Sequence, residues 1–171
     1  GKSGEASGAI PMFCLFDNEE VGSQTKQGAA STFLCDVLER ISGAAGLSPA
    51  EHRRRIANSF LVSCDNAHAV HPNHTEYADR NHSAFMNRGI VIKYNANQRY
   101  TSDAVSAGIF RLVCEKANVP TQYYANRADM PGGSTLGNIA NTQVSLNTVD
   151  IGLAQLAMHS SFETAGALDT Y

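Results

Sequence analysis

The order of residues predicts an α/β sandwich, and three observations predict it. Apolar runs at 9–16, 59–64 and 89–94 have the length and content of buried strands. Stretches between them place apolar residues three and four apart, the period of an amphipathic helix. The two kinds of segment alternate along most of the chain, as layered α/β domains do.

Ala9–Phe16 reads as the first buried strand, ending in the acidic turn Asp17-Asn18-Glu19-Glu20. A helix follows the Gly22–Gly28 stretch, with Ala30, Phe33, Leu34, Val37, Leu38 and Ile41 on one face and Gly43 and Gly46 at its end. Ser48-Pro49-Ala50-Glu51 is a capping box with proline at the first helical position, so a second helix begins there. Its Arg53-Arg54-Arg55 run is a solvated face. Ser59–Cys64 is the next strand and ends in Asp65; residues 66–88 form a long loop rich in Asn and His. Gly89–Tyr94 is a third strand. Thr101 or Ser102 caps a helix carrying Val105, Ile109, Leu112 and Val113 on one face. Gln122–Ala125 is a strand, 129–135 a loop, and 144–151 a further strand with partial alternation. A last loop holds Met158-His159-Ser160, and a short helix closes the chain.

Composition narrows the function classes. The chain has 171 residues, 43% hydrophobic and 17% charged, enough for a real core. Its 13 Lys+Arg against 16 Asp+Glu leave a net charge of −3, which argues against a nucleic-acid binder that works through a basic face. No apolar run has the length of a membrane span. The amino terminus lacks an apolar signal core and an initiator Met, and reads as a cut end or an expression scar. Cys14, Cys35, Cys64 and Cys114 are widely spaced, each in an apolar run, which predicts buried reduced thiols and an intracellular compartment.

In open α/β sheets, sites form beyond the carboxyl ends of strands. Glu19, Glu20 and Asp65 fall there. Three carboxylates in four residues repel one another unless something positive sits among them. The cluster is either a solvated turn or a metal site with a neighbouring base. Asp65 leads a segment holding His68, His71 and His74; it lacks the H-E-x-x-H pattern, and Pro72 opposes a helix. These histidines either hydrogen-bond locally or serve a site. His159 lies in an apolar stretch and is either a core residue or a ligand. Lys93 closes the strand I-V-I-K and either snorkels to the surface or supplies a point charge to an acidic ligand. Pro131-Gly132-Gly133-Ser134-Thr135 is a tight turn or a place of close backbone approach to substrate.

Five segments in order, FDNEEVGSQTKQGA, SCDNAHAVHPNH, GIVIKYNANQRY, NRADMPGGSTLGNI and VDIGLAQLAMHS, resemble the M18 family of metallo-aminopeptidases, most closely its aspartyl aminopeptidase branch. The resemblance runs from about residue 10 to about residue 165. It implies a three-layer sandwich of the zinc-exopeptidase type and a pair of zinc ions that bind the attacking water. It implies Glu19 as general base, Glu20 and His159 as ligands of one zinc, and Asp65 as ligand of the other. Lys93 would pair with the acidic side chain of the substrate's first residue. His68 would touch substrate or the oxyanion. Met130, Gly132 and Gly133 would line the specificity pocket.

The resemblance also implies that residues 1–171 are a partial catalytic domain, truncated on its amino-terminal side. The family carries a further His ligand, a bridging Asp and an inserted oligomerisation domain upstream of the first matched segment. The expectations are therefore weak zinc binding, no activity of the chain alone, and self-association through an exposed sheet edge. The parent is expected to be a cytoplasmic homo-oligomer, with vacuolar delivery as a variant, acting on peptides with an acidic first residue. Neither a nucleic acid nor a membrane is an expected partner. Two alternatives stand beside this: a non-catalytic α/β assembly or binding module that keeps the fold, and a broader-specificity aminopeptidase of the same family.

Overall fold

A computed structural model describes residues 8–171. The first seven residues of the amino-terminal segment Gly1–Met12, read from sequence as a cut end or an expression scar, lie outside the described residues. Four helices, α1 (Phe33–Ala44), α2 (Pro49–Ala57), α3 (Ala104–Ala117) and α4 (Leu136–Ala140), pack around seven strands. The strands are β1 (Phe60–Cys64), β2 (Ala67–His68), β3 (Ile90–Tyr94), β4 (Thr121–Ala125), β5 (Asn147–Gly152), β6 (Ala154–Leu156) and β7 (Thr164–Ala165). The main sheet has the order β1-β5-β3-β4 and a smaller one the order β2-β6-β7. β1 runs parallel to β5 and β3 parallel to β4, while β3 and β5 are antiparallel.

Strand alternation sorts the core into layers. Ile92, Val149 and Ile151 turn to one face, where Ala107 and Phe110 of α3 cover them. Ser63 and Asp150 turn to the other face, where Gly137 of α4 lies so close that a β-carbon would come within 2.7 Å of both. Outside α4, Leu34, Leu38 and Ile56 of α1 and α2 close a second cluster with Ala140 and Val144. This is the expected sandwich of helices on both sides of a sheet.

The capping box at α2 forms as the sequence predicts: Ser48 accepts from Glu51 N while the Glu51 carboxylate accepts from Ser48 N. Other expectations need correction. Residues 9–16 belong to no strand; Phe13 is 87% exposed, and only Cys14 and Phe16 pack onto the α1–α4 cluster. A buried strand needs a paired neighbour, and among the described residues none flanks this run. The helix after residue 100 is capped by Asp103, whose carboxylate accepts from Val105 N and Ser106 N. Thr101 and Ser102 are engaged with Asp150 instead. The face bearing Val105, Ile109, Leu112 and Val113 points away from the sheet, because α3 packs through Ser106, Ala107, Phe110 and Cys114. Among the cysteines only Cys114 is buried; Cys64 is exposed because β1 is an edge strand. The 66–88 loop carries β2, a 3-10 turn at Thr75–Tyr77 and a bridge between Ala69 and Ala84. α4, β6 and β7 were not foreseen, and the closing helix is one 3-10 turn at Ala167–Asp169.

Candidate active site

The site lies where the two sheets meet. β1 and β5 are paired through Cys64 and Ile151, and the chain then shifts so that β2 pairs with β6. Asn66 holds this junction: its Oδ1 accepts from Leu153 N at 3.1 Å, and its Nδ2 donates to Gln155 Oε1 at 2.5 Å. Gly152 permits it, since a β-carbon there would lie 2.1 Å from Asp65 O.

Four of the residues singled out in the sequence converge on this junction. His159 Nε2 lies 3.0 Å from Glu20 Oε1, although 139 positions separate them (159 − 20). Burial, a side-chain hydrogen bond with Glu20 and the charges of Glu20 and Asp65 push the Glu19 carboxyl above the ordinary carboxylate range, while His159 pulls it down. Glu19, Glu20, Asp65 and His159 therefore share one field. His68, on β2 beside Gln155, joins them. Loss of water around its ring, then the charges of Lys93 and His159, hold its imidazole below the ordinary histidine range, with Asp65 opposing.

Lys93 does not snorkel. It is 2% exposed, and its ammonium donates to Asp65 O at 3.2 Å, Asp65 Oδ2 at 3.2 Å and Asn66 O at 3.1 Å. An ammonium has three N–H donors, so all three are taken. Its Nζ also stands 4.6 Å from the centre of the Tyr100 ring, a cation–π contact. Burial, with Tyr124 second, pushes the Tyr100 hydroxyl up to about 12.

A cleft of about 260 Å³ opens beside the junction, lined by His68, His71, Tyr124, Arg127, Met130 and Pro131 among others. Met130 and His68 thus share a wall, as the sequence suggested. Gly132 and Gly133 are not on it; Gly132 packs against Asn126, where a β-carbon would fall 2.9 Å from the side-chain amide. A larger cleft, about 520 Å³, lies at the amino ends of β1 and β5 and contains none of these residues.

Sequence reasoning missed Glu163, whose Oε1 accepts the His159 N–H at 2.6 Å. The signal was a carboxylate four residues past the histidine in a non-helical segment. It also missed Asn66, whose place beside Asp65 was the available sign.

The donor chemistry can be set against zinc. Zinc takes imidazole nitrogen and carboxylate oxygen in tetrahedral sites, and Glu20 with His159 is such a pair. In number the donors fall short: among the described residues no three of His, Cys, Asp or Glu group closely enough to hold a metal ion. Asp65 has its carboxylate on Lys93. The set fits zinc in kind and not in count.

Carboxylates and imidazoles brought together beside the sheet of a mixed α/β sandwich are donor chemistry found in metal-dependent hydrolases. The comparison with known proteins is more specific. The model of the family described as aminopeptidase I zinc metalloprotease (M18) matches residues 2–171, and the chain belongs to that family. A probable M18 family aminopeptidase 2 of Clostridium acetobutylicum is 48% identical over 165 residues, covering 96% of this chain and 38% of that protein. Among solved structures, a chain of the Ape4 and Nbr1 complex matches with a TM-score of 0.84 and 42% identity over 90% of this chain and 29% of that one. The yeast mApe1 dodecamer matches with a TM-score of 0.78 and 32% identity over 91% of this chain and 34% of that one. The chain thus spans 38% of the length of the curated relatives it matches. No helix among the described residues is long and apolar enough to cross a membrane.

Proposed function

We propose that this chain is part of the catalytic domain of a dizinc aminopeptidase that releases an acidic first residue from peptides. The carrying observation is the convergence of Glu19, Glu20, Asp65 and His159 on one sheet junction. In this reading Glu20 and His159 serve one zinc and Asp65 the other. Zinc, where bound, polarises the peptide carbonyl and acidifies water. Glu19 takes a proton from the attacking water and returns it to the leaving amine; burial and the neighbouring Glu20 and Asp65 raise its carboxyl above the ordinary range, which favours holding that proton between the two transfers. His68 and Met130 face the substrate from the walls of the cleft.

Three protein ligands per catalytic zinc is the rule, and this chain offers two and one. The reading therefore includes weak zinc binding and no activity of the chain alone. Residues 1–171 would be one part of a domain, working within a cytoplasmic or vacuolar homo-oligomer. The test is a zinc titration by calorimetry, with an assay on an N-terminal Asp peptide, on this chain and on a full-length protein carrying it. The longer protein should cleave and the chain should not. Two tight zinc sites on the chain would overturn the reading of it as an incomplete site. Failure of the longer protein would overturn the activity and favour a non-catalytic module.

One observation favours a second reading, broader specificity. Lys93, the proposed partner of the acidic side chain, already has all three donors engaged. In the full-length protein, Lys93→Ala should impair cleavage of N-terminal Asp far more than of N-terminal Leu if Lys93 reads the substrate. Equal losses would assign Lys93 to Asp65 and leave specificity to the cleft beside Met130.

A further inference from the structure

We propose that Asn126 is a positioning residue that fixes the loop carrying Met130 and Pro131, and through that loop sets the surface on which the substrate's first side chain lies. The proposal rests on the reading of the cleft beside His68 as the place of that side chain. Asn126 is the first residue after β4 and lines the cleft, as do Met130 and Pro131. Its amide is held from the core side. Nδ2 donates to the Tyr124 hydroxyl at 3.2 Å, and Oδ1 accepts from Asn95 Nδ2 at 3.4 Å. Both partners are themselves fixed. Tyr124 is buried in the cluster with Val91 and Tyr100, and Asn95 Oδ1 accepts from Asn97 N at 2.9 Å.

The loop rests on this amide at Gly132. A β-carbon on Gly132 would lie 2.9 Å from Asn126 Cγ, 2.9 Å from Nδ2 and 3.0 Å from Oδ1. A point equally far from these three atoms at that range stands over the face of the amide plane. The main chain of residue 132 therefore approaches the amide face to a distance that a residue without a β-carbon permits. Near the start of the loop, Arg127 donates to Glu76 O in the 3-10 turn and pairs with Asp129 at 2.6 Å. Met130 and Pro131 stand between these two ties. Met130 is 37% exposed, so its place comes from the main chain of the loop more than from packing of its own side chain.

The test has two readouts, and neither needs metal on the isolated chain. With the chain labelled at its four methionine methyls, NMR reads the loop. Asn126→Ala should move the Met130 methyl signal and leave those of Met12 and Met158 in place. Gly132→Ala should move it too, because the added carbon meets the amide. In the Asn126→Ala background that carbon has room, and the second substitution should add nothing. If Asn126→Ala does not fold by circular dichroism, Tyr124→Phe, which removes the hydroxyl that the amide donates to, carries the same test with a smaller movement expected. An unmoved Met130 methyl overturns the proposal, and so do additive effects of the two substitutions. In the full-length protein carrying this chain, Asn126→Ala should raise KM about tenfold for peptides with N-terminal Asp and N-terminal Leu alike, with kcat within about twofold of the original. A fall in kcat with KM unchanged overturns the proposal, as does a KM within about twofold of the original. If the unsubstituted full-length protein cleaves neither peptide, the peptidase reading fails and the substrate-facing role of Asn126 fails with it. The methyl signals separate that outcome from failure of the Asn126 contact itself.

Discussion

Gly152→Ala is the sharpest single perturbation of the site's foundation. Gly152 ends β5 against the turn from β1 into β2. An added β-carbon would lie 2.1 Å from Asp65 O and 2.7 Å from Asn66 Cα, where real contacts stay above 3.0 Å. The Asp65–Asn66 main chain would have to retreat by roughly 1 Å (3.0 − 2.1). That movement strains Asp65 N to Ile151 O, at 2.9 Å, and both carbonyl bonds from Lys93, at 3.2 and 3.1 Å. Overpacking costs about 1–3 kcal/mol and two or three weakened hydrogen bonds add about 1 kcal/mol each. A loss of about 3–6 kcal/mol is therefore expected, a large share of typical domain stability. At about 2–4 °C per kcal/mol for a chain of this size, thermal unfolding by circular dichroism should shift down by on the order of 10 °C. Gly43→Ala is the control: its β-carbon meets nothing within 4 Å in α1, and helix propensity should raise stability by up to about 1 kcal/mol. A Gly152→Ala shift of less than about 2 °C would refute the close approach and the account of how Asp65 is placed.

Other outcomes follow from the same structure. Asp103→Ala should cost about 1 kcal/mol through loss of the α3 cap; because backbone N–H bonds from Ser106 hold this carboxyl below the ordinary range, its contribution is present above that range and disappears as pH falls through the folded value. Tyr100 is raised to about 12, so folding favours its neutral form; chemical unfolding should show stability declining from the ordinary tyrosine value of about 10 up to about 12, and Tyr100→Phe should flatten that limb. The edge of β1, unpaired among the described residues and carrying exposed Phe60 and Val62, should drive self-association. Light scattering should show mass rising with concentration; a monomer at every concentration would count against that surface.

The fold was legible where local and global signals agreed. β1 and β3 are apolar runs bounded by turn residues, and β4 (TQYYA) and β5 (NTVDIG) carry the aromatic and β-branched residues of strands; these four make the main sheet. The capping box at Ser48 is a local device and needs no partner to act. Sequence reading failed where the outcome depended on distant neighbours. Residues 9–16 carry as good a strand pattern as β3, yet β3 lies between β5 and β4 while 9–16 has no paired strand among the described residues. The apolar stripe on α3 predicts a buried face, but the sheet accepts the side that carries Ala107 and Phe110, because Ala107 lets the helix settle close to Ile92 and Val149.

The site divides along the same line. Asp65 was visible because it follows the end of β1, where loops of an α/β sheet gather; Glu19 and Glu20 were singled out behind a strand at 9–16 that does not form, and were legible only as a cluster of like charges. His159 was visible only through the ordered motifs, since a histidine in an apolar stretch has no local mark of a ligand. Its supporting carboxylate was not visible, because the need for Glu163 arises from a left-handed backbone that Ala157 and His159 do not advertise. Lys93 is the instructive case: its residue type suggests a charge offered to substrate, and its place suggests a charge spent on Asp65. A buried ammonium with three acceptors is an arrangement of the main chain, since two of the three are carbonyl oxygens of the Asp65–Asn66 turn. Gly152 makes that turn possible, so the orientation of Asp65 depends on a missing β-carbon one strand away as much as on the cation that faces it.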